Sequence, residues 1–175
     1  MKKVVKFGGS SLANAEQFQK VGEIIRSEKS RRYVVPSAPG KRFDGDTKVT
    51  DMLYACYGAA EAGEDFSGKL QAIKMRFQEI IQGLSLELSL DREFEQIAAD
   101  FSAHAGKEYA ASRGEFLNGK VMAAYLGYEF VDAAEVIRFD KNGVLEAEKT
   151  NRLLEKRLAK CEKAVIPGFY GAEDG

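Results

Sequence analysis

Within its first 36 residues the chain runs strand, glycine turn, helix, strand, and that order constrains the fold more than anything downstream. Val4, Val5 and Phe7 have strand character, interrupted by Lys6, and Gly8-Gly9 ends the run before Ser10 and Ser11. Phe18, Val21, Ile24 and Ile25 then recur at helical spacing, with Glu16, Lys20, Glu23 and Arg26 opposite. This predicts a helix capped by Asn14 or Ser11 and running to about Lys29. Arg32-Tyr33-Val34-Val35 reads as a second short, largely buried strand. A crossover of this length makes the two strands parallel. Parallel α/β units carry their functional loops at the carboxyl ends of the strands, so the loops after Phe7 and after Val35 should share one sheet edge.

The first of those loops has the parts of an anion cradle. Glycines let the backbone approach a phosphate, exposed N–H groups donate to its oxygens, and Lys6 adds a positive charge. The same residues also fit an edge strand with an exposed lysine and an ordinary turn, since the stretch is not a Walker motif. The second loop, Pro36-Ser37-Ala38-Pro39-Gly40, is rigid and rich in small residues. The polar run Lys41 to Lys48 after it, with Asp44, Gly45 and Asp46, reads as an exposed excursion. Ser37 and Thr50 both offer hydroxyls near the first glycine turn, although each also fits a turn or helix cap.

Helical patterns follow from Thr47 or Thr50 to about Gly63, from Asp65 to about Ile81, and from Asp91 to about Ser102. Leu84 to Leu90 alternates and is left as loop or short strand. The pair of helices over residues 65–104 reads as an insertion whose role is packing. Gly114 interrupts the next pattern, so Glu115 is expected at a new helix start, where a carboxylate suits the dipole; binding an amino group would require it to face a cleft. Phe130-Val131-Asp132 and Val136-Ile137-Arg138-Phe139 read as strands, with Asp140 to Gly143 as a turn that lacks the ligands of a calcium loop. Thr150 or Asn151 is expected to cap a helix through Leu153, Leu154, Leu158 and Cys161. Ala164-Val165-Ile166 is then a buried strand entering Pro167-Gly168-Phe169-Tyr170-Gly171, a repeat of the opening device. A terminal strand in a layered fold normally hands on to a covering helix, and none follows here, so the domain is read as incomplete.

Composition narrows the function classes. With 26 Lys+Arg against 27 Asp+Glu, the formal charge is −1, without the basic excess that general nucleic-acid binding needs. Cys56 and Cys161 match no metal spacing, His104 is the one histidine, and no metal-ligand set emerges. Both cysteines fall in helix-like apolar patterns and are expected to be buried free thiols in a reducing cytosol. No run approaches the ~20 apolar residues of a membrane span, and the start lacks a signal-peptide core. A cytoplasmic protein without membrane or nucleic-acid partners is the expectation.

Five motifs in order carry a family resemblance. They are Val5-Lys6-Phe7-Gly8-Gly9-Ser10-Ser11, Val35-Pro36-Ser37-Ala38-Pro39-Gly40, Lys48-Val49-Thr50-Asp51-Met52-Leu53, Ser112-Arg113-Gly114-Glu115 and Ile166-Pro167-Gly168-Phe169-Tyr170-Gly171. Together they resemble the N-terminal part of the aspartate kinases, in the amino acid kinase superfamily; Ser10 replaces the family's usual threonine and keeps a hydroxyl. The resemblance implies a truncated three-layer αβα sandwich, carbamate kinase-like, with a mainly parallel sheet. It implies that residues 1–175 are the amino-acid-binding lobe, without the nucleotide lobe or regulatory domains. The implied reaction moves the γ-phosphoryl of ATP, as Mg-ATP, to the side-chain carboxylate of L-aspartate. Lys6 would neutralise the transferring group, Phe7, Gly8, Gly9 and Ser10 would form the phosphate loop, and Ser37, Thr50 and Glu115 would hold aspartate. The base pocket would be missing, so the 175-residue chain is expected not to turn over aspartate alone. Another amino acid kinase (a glutamate 5-kinase or a uridylate kinase) and a non-catalytic binding or oligomerisation domain are the alternatives. An exposed sheet face or edge would favour self-association, and the resemblance implies the family's dimer surface as the other route.

Overall fold

The structure is a computed structural model that describes residues 1–173; Asp174 and Gly175 lie outside the described residues. In chain order its elements are β1 (Lys3–Phe7), a 3-10 turn (Gly9–Leu12), α1 (Ala15–Arg26), β2 (Arg31–Pro36), α2 (Val49–Glu61), α3 (Ser67–Gly83) and α4 (Asp91–Ser102). They continue with α5 (Lys107–Leu126), β3 (Glu129–Phe130), α6 (Ala133–Val136), β4 (Arg138–Phe139), α7 (Ala147–Leu158), β5 (Ala164–Val165) and β6 (Ala172–Glu173).

The main sheet is parallel throughout, in the order β1-β2-β5-β3, with Phe7 opposite Pro36 and Val34 opposite Val165. Side chains alternate across it, as the two-residue strand period requires. Val34 and Val165 enter a large core with Phe18, Leu53, Phe77, Phe101, Leu117 and Met122, against which Val5, Phe7 and Phe130 pack. Tyr33, Ala164 and Val131 point the other way, into a smaller cluster with Val136, Leu153, Leu154, Leu158 and Ile166. Helices therefore lie on both faces, α1 and α5 on one with α2–α4 beyond, and α6 and α7 on the other. This is the expected αβα layering.

Asn14 caps α1, its side chain accepting from the Gln17 N–H at 3.0 Å. Several expectations require correction. Helix α5 runs unbroken through Gly114, so Glu115 lies in mid-helix and gains nothing from a helix dipole. Glycine costs a helix interior about 1 kcal/mol. Here it removes a Cβ that would sit 2.7 Å from the Ala38 Cβ, so close packing decides. Val136 to Phe139 is not one strand: Asp132 accepts from the Ala134 N–H at 3.0 Å, starts α6, and leaves only Arg138–Phe139 as β4. Helix α7 begins at Ala147, before the expected cap, and the buried Thr150 hydroxyl oxygen instead accepts from the Arg138 N–H at 3.0 Å. Residues 84–90 form a loop, with Ser85 at φ 54°. Cys56 is buried, and burial pushes its thiol up to about 11, whereas Cys161 is only half-buried beyond the end of α7.

Candidate active site

The loops after β1 and β2 meet at the carboxyl edge of the sheet and are joined by backbone. Ser37 N–H donates to the Phe7 carbonyl at 3.0 Å and Gly40 N–H to the Gly9 carbonyl at 2.8 Å. The contact is too close for side chains. A Cβ on Gly9 would lie 2.8 Å from the Ala38 carbonyl oxygen, and one on Gly40 would lie 2.6 Å from the Gly9 carbonyl carbon. Gly8 differs. Its φ of −78° and ψ of 168° suit any residue, and a Cβ there would meet nothing within 4 Å. The scaffold does not require glycine at position 8, and the space beside its backbone is open. The turn that follows, from Gly9, supplies first-turn N–H groups without intrahelical acceptors, and Ser10 stands exposed on it.

Lys6, next to last in β1, lies on the opposite face from Phe7 and is exposed; among the described residues its side chain makes no ion pair or hydrogen bond. The structure thus places Lys6, Gly8, Gly9 and Ser10 together at the sheet edge. Phe7 contributes its carbonyl to the joint between loops and packs its ring against the core.

The amino-acid side of the site is built on α5. Glu115, 7% exposed, accepts from the Ala38 N–H at 3.1 Å through Oε1, while its Oε2 is buried with no partner. Burial raises its pKa above the ordinary carboxylate value, and the Ala38 N–H offsets only part of that rise. A carboxylate oxygen buried without a partner is costly, and a cationic donor from a ligand would remove the cost. One turn on, Asn118 is fully buried; its Nδ2 donates to the Ser37 carbonyl at 2.7 Å, and its Oδ1 is unpartnered. Thr50 stands half-buried in the first turn of α2, which is tied to this loop by the Val49 N–H donating to the Pro39 carbonyl at 3.1 Å. Gly114 also lets α5 approach α2 here: its missing Cβ would lie 3.3 Å from Leu53 Cδ1, a tight contact. Glu115 therefore meets the loop at Ala38, next to Ser37, and the helix that carries Thr50 joins the same loop at Pro39.

Sequence reasoning missed Asn118, although Asn three residues after Glu115 in a continuous helix is legible once Gly114 is not taken as a break. It also missed Arg76. The run 41–48 is exposed, as expected, except at the half-buried Asp46, whose carboxylate bridges Arg42 (2.9 Å) and Arg76 (2.7 Å). The Arg42 side chain and N–H, together with Arg76, hold Asp46 far below the usual carboxylate range.

A parallel sheet carries two backbone-joined glycine loops at its carboxyl edge, beside a buried carboxylate with an unpartnered oxygen, so backbone donors suited to an anion and an acceptor suited to a cation lie close together. The amino acid kinase family profile matches residues 1–175, and the chain belongs to that family. Within it, the chain is 36% identical to aspartokinase 3 of Bacillus subtilis over 99% of its own length and 41% of that protein. It superposes on the crystal structure of Clostridium acetobutylicum aspartate kinase with a TM-score of 0.94 at 45% identity, covering 99% of this chain and 40% of that one. Escherichia coli aspartokinase III in complex with aspartate and ADP shares the fold at 24% identity and a TM-score of 0.80, with 99% of this chain and 42% of that one covered. The chain thus spans about two fifths of the length of these relatives.

Proposed function

We propose that this chain carries the amino-acid-binding lobe of an aspartate kinase, and that its site holds L-aspartate beside the phosphate groups of ATP. The observation that carries this reading is Glu115, a buried carboxylate with one oxygen fixed by Ala38 and the other free, in a chain whose relatives are aspartokinases. Glu115 takes the α-amino group, and Thr50 and Ser37 line the same corner. The substrate's side-chain carboxylate then attacks the γ-phosphorus. A bond from that oxygen to phosphorus forms as the bond to the leaving ADP oxygen breaks. The attacking group is already anionic, so no general base is needed, and catalysis rests on positioning and charge stabilisation. Lys6 supplies the charge, and the Gly8-Gly9 backbone supplies donors to the phosphates. ATP as its magnesium complex supplies the phosphoryl group. The product, 4-phospho-L-aspartate, feeds lysine, threonine and methionine biosynthesis.

Thermal shifts of the purified chain with L-aspartate, L-glutamate and UMP separate this reading from the other amino acid kinases. A shift with L-aspartate alone is expected, and a preference for either other ligand contradicts it. We propose that the 175-residue chain does not turn over aspartate by itself; aspartate-dependent ADP release by the purified chain would refute that. We propose, too, that the chain self-associates through the open side of its sheet, where Val4 is 66% exposed beside an apolar groove of about 520 Å³ lined by Tyr33, Val35, Leu154, Leu158 and Ile166. A monodisperse monomer at high concentration in sedimentation would count against it.

A further inference from the structure

Helix α3, expected to serve packing alone, sends one charged side chain back to the site. Arg76 is 4% exposed, and its Nη2 donates to two backbone carbonyls: Gly40 at 2.9 Å, and Ala13 at 3.4 Å. Gly40 ends the loop after β2. Ala13 is the residue on which the 3-10 turn after Gly8 terminates. One guanidinium therefore spans both glycine loops, while its Nη1 is anchored at 2.7 Å to the half-buried Asp46. Asp46 is gripped in turn by the Arg42 side chain and N–H, each at 2.9 Å.

Burying a guanidinium costs several kcal/mol of desolvation, and packing alone is served as well or better by a hydrophobe of similar volume. Arg76 even leaves its Nε buried without a partner. What a hydrophobe cannot do is donate to two loop carbonyls at once in a fixed planar geometry. The loops themselves have almost no side chains with which to hold one another. Their joint is the Gly40 N–H to Gly9 carbonyl bond and the close contact that glycine permits. From the other side Glu115 and Asn118 hold Ala38 and Ser37, so the loop after β2 is fixed from α5 and from α3 together.

We infer that Arg76, braced by Asp46, is a positioning residue that locks the two glycine loops into one rigid unit, and so sets where the phosphate groups sit relative to the amino acid at Glu115. The locking follows from the contacts above; its consequence for ligand rests on the aspartate-binding reading. Arg76 touches no reacting atom. Its effect passes through the carbonyls of Gly40 and Ala13.

The test uses the whole 175-residue chain, labelled with 15N, with amide exchange and L-aspartate titration read together. In R76M the Gly40 amide should exchange at least about tenfold faster, the loss expected from one charge-assisted hydrogen bond, while the amides of Val121 and Met122 in α5 keep their protection. L-aspartate affinity should fall by a similar factor. R76K keeps the charge but cannot reach Asp46 and both carbonyls together, so it should restore part of the loss. A folded R76M with Gly40 exchange within about twofold of the parent chain would overturn the inference. If R76M does not fold, the same readout on R76K decides, and unchanged Gly40 exchange overturns it there. E115Q separates the two claims. It should abolish L-aspartate binding while Gly40 stays protected. If E115Q leaves L-aspartate affinity untouched, the ligand reading fails, and the clamp is still judged on exchange.

Discussion

The two faces of the sheet are built to different standards. The face toward α1 and α5 closes over a continuous core in which Phe18, Phe77, Phe101, Leu117 and Met122 are fully buried, and the candidate site grows directly from that layer. The face toward α6 and α7 holds a small cluster and an open apolar groove, with Val4 66% and Phe169 86% exposed at its margins. Rigid placement of Glu115, Asn118 and Arg76 needs the first kind of surface, because a buried polar group holds its geometry only when its surroundings are close-packed. The second kind carries the exposed Lys6 and leaves room for something to lie against the sheet. Precision is concentrated on one side of the sheet and accessibility on the other.

The largest effect should come from breaking the closed face. Phe77→Ala is expected to cost about 3–5 kcal/mol in urea unfolding, whereas Leu154→Ala, half-buried by the groove, should cost no more than about 1–2 kcal/mol. Equal losses would erase the contrast between faces. Next come the adjacent glycines. Gly9→Ala drives a Cβ against the Ala38 backbone and should cost about 1–3 kcal/mol, while Gly8→Ala should stay within about 0.5 kcal/mol of the parent chain and weaken phosphate binding instead. A Gly8→Ala chain that is destabilised as much as Gly9→Ala would mean that position 8 serves the scaffold.

A subtler effect concerns pH. Burial raises the folded-state pKa of Glu115 above its unfolded value, so the folded state binds the proton more tightly. Stability attributable to this group is therefore present below the unfolded value and falls as pH rises from the unfolded value through the folded one. Glu115→Gln should raise Tm at pH 7, and the gain should shrink as pH drops toward 4. A gain that grows on acidification would reverse the assignment. The smallest change in stability is expected of Val4→Thr, within about 0.5 kcal/mol, yet it should reduce self-association in sedimentation if the open face is where copies meet.

Much of the architecture was legible because period and punctuation agree in the first 36 residues, where apolar spacing and Gly8-Gly9 mark β1, α1 and β2 without conflict. The loops after Phe7 and Val35 were correctly placed on one edge by the parallel crossover alone. Gly114 misled because a glycine inside a helix looks the same in sequence whether it ends the helix or admits a neighbour; only the position of Ala38 distinguishes the two. Val136 to Phe139 misled because a single cap, Asp132, outweighs the β-propensity of Val136 and Ile137. Arg76 was not legible at all. A charged residue on an amphipathic helix reads as solvated surface, and its burial depends on Asp46 and Gly40, 30 and 36 residues away.

The central claim is that the corner between Ala38 and Glu115 receives the amino group of L-aspartate. It is tested most directly by following the Ala38 amide of the 15N-labelled chain during titration with L-aspartate and, separately, with succinate, which lacks that amino group. A saturable shift at Ala38 with L-aspartate, absent with succinate and lost in E115Q, is the predicted result. An Ala38 amide that does not move, or that moves equally with succinate or in E115Q, would contradict it.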